Sequence, residues 1–199
     1  MNILSAEFVV SSVNSDNWPK GNIPEFAFVG RSNVGKSSLI NVLVNKRSLA
    51  KTSSMPGKTR TINHFIINKE KSPWYLVDLP GYGFANAPEK ERKKWEAFTK
   101  SYLRERENLV CTFVLIDSRH SPQQVDLSFL KWMAESALPM AIIFTKTDKV
   151  KPTELEKNLV SFDTALGEFL DQTPNILVTS SSSRNGRDEV LAFISRLMP

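Results

Sequence analysis

Residues 30–37 read GRSNVGKS, and this octet decides the fold. Two glycines five residues apart are followed by Lys-Ser; the apolar run 26–29 (FAFV) precedes them and a helix-patterned stretch begins at Lys36. A strand, a glycine-bearing turn and a helix N-terminus, in that order, aim backbone amides and the positive end of a helix dipole at one point. That is how a polypeptide holds phosphate. Gly30 and Gly35 permit the turn, Lys36 brings charge to β- and γ-phosphates, and Ser37 offers a hydroxyl to magnesium. Arg31, Ser32, Asn33, Val34 and Ser38 complete the stretch expected to border a nucleotide.

Two further elements follow in the order such a site requires. Asp78, Leu79, Pro80 and Gly81 close the strand-like run WYLVD; the carboxylate can hold magnesium through water, and the Gly81 amide can reach the γ-phosphate. Thr145, Lys146, Thr147 and Asp148 follow the apolar run 140–144, so they emerge where ligands bind in open α/β sheets. Asp148 selects the base: a carboxylate accepts from N1 and the exocyclic N2 of guanine, whereas adenine lacks that donor pair. Lys146 can lay its aliphatic stem across the ring. After the run 176–178, the small residues Thr179, Ser180, Ser181 and Ser182 let a backbone amide approach guanine O6, although a serine-rich turn by itself is a weak signal. A phosphate-loop kinase or ATPase is disfavoured by Lys146 and Asp148.

Apolar runs at 8–10, 26–29, 65–67, 75–77, 111–116, 140–144 and 176–178 read as strands. Between most of them, residues 36–45, 89–107, 122–136, 153–170 and 186–197 place apolar side chains three or four apart. The alternation predicts an α/β fold of three layers, a mostly parallel central sheet with helices on both faces. The short polar stretch 68–73 predicts one antiparallel hairpin, and 45–61 reads as a loop. We expect one domain over 1–199, with an N-terminal strand and loop in 1–24 and nucleotide-responsive regions at 45–63 and 78–95.

Composition narrows the class further. A chain of 199 residues, 41% of them hydrophobic, can bury a core without cross-links. Its single cysteine, Cys111, lies in an apolar run and is expected to pack as core, consistent with a reducing cytoplasm. No apolar stretch reaches the roughly 20 residues that span a bilayer, and the N-terminus lacks the pattern of an export signal. We expect no membrane partner. The formal charge is +5, and no Asp or Glu occurs between Glu25 and Glu70, where eight basic residues lie. Such a field attracts RNA as readily as a nucleotide, and charge alone does not choose. His64 and His120 are isolated and suggest no zinc site. Residues 89–107 mix seven basic with five acidic side chains around Trp95, Phe98 and Tyr102, the pattern of a solvated amphipathic helix.

The segments GRSNVGKSSLIN, PGKTRTIN, DLPGYG and TKTDK resemble the EngB (YihA/YsxC) family of bacterial GTP-binding proteins over nearly the whole chain. That resemblance implies the Ras-like P-loop GTPase fold, in a monomer that binds GTP and GDP and hydrolyses GTP weakly. It places Gly57, Lys58, Thr59, Arg60 and Thr61 at the nucleotide and makes Thr59, rather than Thr61, the magnesium ligand that senses the γ-phosphate. With Lys36 and Gly81, Thr59 completes the expected catalytic set. The resemblance also implies a cytoplasmic role in assembling the large ribosomal subunit, contacting rRNA and ribosomal proteins rather than DNA, with effects on cell division and septation. A non-ribosomal cell-division regulator that docks a protein partner under GTP control is the alternative. Two positions depart from the wider GTPase pattern. Thr145 replaces asparagine and is expected to donate to guanine N7. Tyr82 stands where Ras-type enzymes carry the water-orienting glutamine, so hydrolysis should be slow unless a partner, or a potassium ion held near Asn33, supplies the missing stabilisation.

Overall fold

A computed structural model describes residues 1–50, 61–83 and 88–199. Every expected run becomes an element: β1 (Ala6–Ser12), β2 (Glu25–Gly30), α1 (Lys36–Leu43), β3 (Ile62–Ile67), β4 (Trp74–Asp78), α2 (Glu89–Glu105), β5 (Leu109–Asp117), α3 (Gln124–Glu135), β6 (Met140–Thr145), α4 (Pro152–Leu166), β7 (Ile176–Val178) and α5 (Arg187–Leu197). Several helices are shorter than their sequence periodicity suggests. Asn45, in a left-handed conformation (φ 54°), closes α1, and Gly167 follows the end of α4.

The strands form one seven-stranded sheet in the order β1-β3-β4-β2-β5-β6-β7. β2 runs parallel to β4 and β5, and β5, β6 and β7 continue in parallel. β3 alone is reversed, pairing antiparallel with both β1 and β4. Its hairpin to β4 turns through left-handed Asn68 and Ser72. The Asn68 side chain also accepts from the Leu4 amide at 2.6 Å and donates to the Asn2 carbonyl at 2.8 Å, tying the N-terminus to the turn.

All six residues of β2 are buried. Phe26 and Phe28 enter one core with Leu39, Ile40 and Leu43 of α1 and Val190, Leu191 and Ile194 of α5. Ala27 and Val29 enter a second core with Tyr102 of α2, Leu130 and Met133 of α3 and Phe162 of α4. This is the period of two expected for a sheet covered on both faces. Arg187 donates to the Val42 and Leu43 carbonyls at 3.0 and 2.9 Å, satisfying groups that α1 leaves open at its C-terminus. Cys111 is buried and its thiol is pushed up to about 12 by burial, so it packs as an inert core residue. On α2 the outward charges pair one turn apart, Glu89 with Lys93 and Glu96 with Lys100, as a solvated helix face would.

A buried carboxylate anchors the opposite end of the sheet from the phosphate-type loop. Glu25, wholly inaccessible at the start of β2, accepts from the Tyr102 hydroxyl and twice from the Arg106 guanidinium. His64 of β3, also fully buried, lies 3.9 Å from it. Burial lowers the His64 pKa to about 4, outweighing the attraction of Glu25. The unfolded chain therefore binds the proton more readily than the folded one between pH 6.5 and 4. Stability should be complete above pH 6.5 and fall by about 3 kcal/mol as pH drops to 4. Chemical denaturation across that range should show the loss, and His64→Gln should flatten this part of the slope.

Candidate functional site

β2, β4, β5 and β6 point the same way, so their last residues Gly30, Asp78, Asp117 and Thr145 share one edge. The phosphate-type loop crosses that edge into α1. Gly35, immediately before α1, takes φ +106°, where a side chain would be strained, and so turns the loop into the helix axis. Lys36 opens the helix with its ammonium paired to the Asp78 carboxylate, both side chains under 10% exposed. Ser32 buries its hydroxyl without a hydrogen-bond partner, an orphan polar atom inside the loop. Loop, lysine and carboxylate thus form a polar cradle of the kind phosphate fills.

The TKTD residues knit this cradle to the loop that follows β7. Thr145 is buried, and its hydroxyl donates to the Val34 carbonyl at 2.6 Å. It also lies 3.2 Å from the Ile116 carbonyl, so the hydroxyl that the sequence reading directs to guanine N7 has two backbone acceptors within reach. Lys146, in a left-handed conformation, extends its ammonium to the Asn33 carbonyl at 2.6 Å and to Asp117 at 2.9 Å. Both bonds stretch the stem across the end of the cradle. Burial would raise the Asp117 carboxyl, but hydrogen bonds from Arg119 and Lys146 outweigh it and hold it well below the usual range.

Asp148 is exposed on a short 3-10 turn, Thr147–Lys149, and accepts from the Ser180 hydroxyl at 2.6 Å. Hydrogen bonds from Ser180 and Ser182 lower its pKa to about 2, which keeps it a charged acceptor. The 179–186 loop is shaped by its glycine. Gly186 has φ +77°, and a Cβ there would lie 2.0 Å from the Val178 carbonyl. Ser180 N–H donates to the Asn185 carbonyl, and Thr147 donates to the Thr179 carbonyl through both its amide and hydroxyl. The weakest sequence signal therefore lies against one of the three stronger ones.

Gly57, Lys58, Thr59 and Arg60 lie outside the described residues, while the Thr61 hydroxyl donates to Asn63 at 3.0 Å. Sequence reading passed over Asp117, which sets Lys146, and Asp126, which is wholly buried beside Arg31 and Tyr82. Asp117 did carry a signal: it closes an apolar strand as Asp78 does. Among the described residues no group of three or more His, Cys, Asp or Glu side chains could hold a metal alone. Ser37 and Asp78 nevertheless offer hard oxygens beside the phosphate cradle, a donor set that suits magnesium when phosphates and water complete the coordination.

Comparison with known proteins gives the family. The family model described as 50S ribosome-binding GTPase matches residues 25–146. The probable GTP-binding protein EngB of Christiangramia forsetii is 48% identical over 194 residues, covering 98% of this chain and 96% of the relative. That of Phocaeicola vulgatus is 49% identical over 197 residues, covering 99% and 97%. A crystal structure of a probable GTP-binding protein engB shares the fold, with a TM-score of 0.68 and 20% identity over 87% of this chain and 98% of that one.

Asp148→Asn should weaken GDP binding about a hundredfold or more and admit xanthine nucleotides, because the paired acceptor is lost. Ser180→Ala, which leaves the carboxylate present but unheld, should cost about tenfold or less without changing base preference. Titration with fluorescent GDP and its xanthine counterpart measures both. Unchanged GDP affinity in Asp148→Asn would remove the base-recognition assignment.

Proposed function

This chain belongs to the EngB family of GTP-binding proteins, and on that premise we propose that it is a cytoplasmic GTP-driven switch in assembly of the large ribosomal subunit, needed for normal cell division and septation. The protein is a GTPase. The observation that carries the reading is the convergence of Lys36, Asp78, Lys146 and Asp148 on one sheet edge, with the Asp148 carboxylate held by Ser180. Phosphates would displace Asp78 as the partner of Lys36. Glycine-loop amides and the α1 N-terminus would bear the rest of their charge.

Ser37, Thr59 and, through water, Asp78 would hold a magnesium ion, which would supply positive charge against the phosphates. Thr59 and the Gly81 amide would detect the γ-phosphate, so its loss on hydrolysis releases the segments around them. Turnover is expected to be slow. The residue after Gly81 is Tyr82, whose phenol donates to Asp126 and stacks on Phe129 instead of orienting water. A partner, or potassium held near Asn33, would supply the missing stabilisation.

Two observations favour a ribosomal partner. The matching family model is described as ribosome-binding, and the acid-free stretch between Glu25 and Glu70 places exposed Lys46 and Arg47 in a groove with Arg184. Such a surface suits rRNA phosphates, whose binding is salt-sensitive.

Sedimentation with large ribosomal subunits should show co-migration with a non-hydrolysable GTP analogue, about tenfold weaker association with GDP, and loss at raised salt. No binding to mature or precursor subunits in either nucleotide state would move the role to a protein-docking division regulator. GTP turnover should be faster in potassium than in sodium; equal rates would dismiss the potassium site.

A further inference from the structure

One buried carboxylate joins three parts of the molecule that a nucleotide cycle must coordinate. Asp126 lies in the first turn of α3 with its side chain 1% exposed. Its Oδ1 accepts from the Tyr82 hydroxyl at 2.9 Å. Its Oδ2 lies 3.1 Å from Nε of Arg31, in the phosphate loop; the N–H is not aimed at the oxygen, which makes the contact an ion pair rather than a hydrogen bond. Burial pushes the Asp126 carboxyl up against the opposing pull of Arg31 and Tyr82. A carboxylate in such a place depends on its partners.

Tyr82 is the neighbour of Gly81 and is fixed on both sides. Its ring stacks on Phe129 of α3, centroids 4.5 Å apart and planes 20° from parallel. Its amide donates to the Gly30 carbonyl at 3.2 Å, and Tyr82 and Arg31 form an isolated parallel bridge. The Leu79 amide donates to the Phe28 carbonyl, so the chain from 79 to 82 extends the β2–β4 ladder alongside the phosphate loop. This segment also borders a cavity of about 360 Å³ that reaches Trp95, Thr99 and Phe129. Among the described residues, Gly30, Asp126 and Phe129 all contact Tyr82.

We propose that Asp126 is a positioning residue for the GTPase: by clamping the Tyr82 phenol to α3 and Arg31, it holds Gly81 against the phosphate loop, where its amide meets the γ-phosphate. Consecutive Cα atoms are only about 3.8 Å apart, so Gly81 cannot swing away while Tyr82 stays clamped. The clamp favours the triphosphate, because GDP has no γ-phosphate for Gly81 to meet. Helix α3 thereby becomes the element that registers γ-phosphate occupancy. The inference rests on the proposed contact of Gly81 with the γ-phosphate, and the test keeps the two separable.

Tyr82→Phe keeps the ring on Phe129 and removes only the donor, and Asp126→Asn keeps the size and removes the charge. Each should lower affinity for a non-hydrolysable GTP analogue about tenfold while changing GDP affinity less than about twofold, and the double variant should lose little more than either single one. A merely structural role would weaken both nucleotides together. Gly81→Ala serves as the reference. If it lowers the triphosphate-to-diphosphate affinity ratio and Tyr82→Phe does not, the clamp is wrong while the γ-phosphate contact stands. If Gly81→Ala also leaves the ratio unchanged, both fall. Should Asp126→Asn fail to fold, Tyr82→Phe alone decides.

Discussion

The parallel register of β2 against β4 and β5 is the constraint on which everything else depends. Strands that run the same way deliver their last residues to the same edge, and Gly30, Asp78, Asp117 and Thr145 arrive there together. No pair of them is close in sequence. The register is held because β2 is buried on both faces: a slip by one residue would send Phe26 and Phe28 into the space shaped for Ala27 and Val29. The apolar interior therefore fixes the geometry of a polar site that contributes little to the core itself.

Buried charge is distributed at both ends of this sheet. At one end Glu25 joins β2 to α2 through Tyr102 and Arg106, with His64 of β3 against it. At the other, Asp78, Asp117 and Asp126 pair with Lys36, Lys146 and Arg31 respectively. Carboxylates out of water are costly unless each has its partner, so these residues restrict the arrangements the surrounding loops can take. The difference between the ends is functional. Glu25 ties secondary structure together, whereas Asp117 and Asp126 hold Lys146 and Arg31 at the edge that the phosphate-type loop crosses.

Much of this was legible in the residues. All seven strands and five helices appear as sequence expected, with shorter helix ends where Asn45 and Gly167 intervene. The reversed β3 follows from the short link between two apolar runs. Thr145 marks the limit of local reading: the sequence shows a hydroxyl after a strand, and only the fold shows the Val34 and Ile116 carbonyls within its reach. Asp126 was invisible because an acid in the first turn of a helix is common and usually solvated.

The sequence by itself determined the class: a glycine-bearing loop before a helix, a carboxylate closing a strand and TKTD after another mark a GTPase through residue type and order. Those signals are local, since turn geometry, strand alternation and donor pairing act over a few residues. Tertiary structure alone decided which side chains hold the functional ones in place. Ser180 meets Asp148 across 32 residues, Asp117 meets Lys146 across 29, and Tyr82 meets Asp126 across 44. Such pairings form because packing of the two cores brings the loops within hydrogen-bond reach, and no local pattern in the chain encodes that distance.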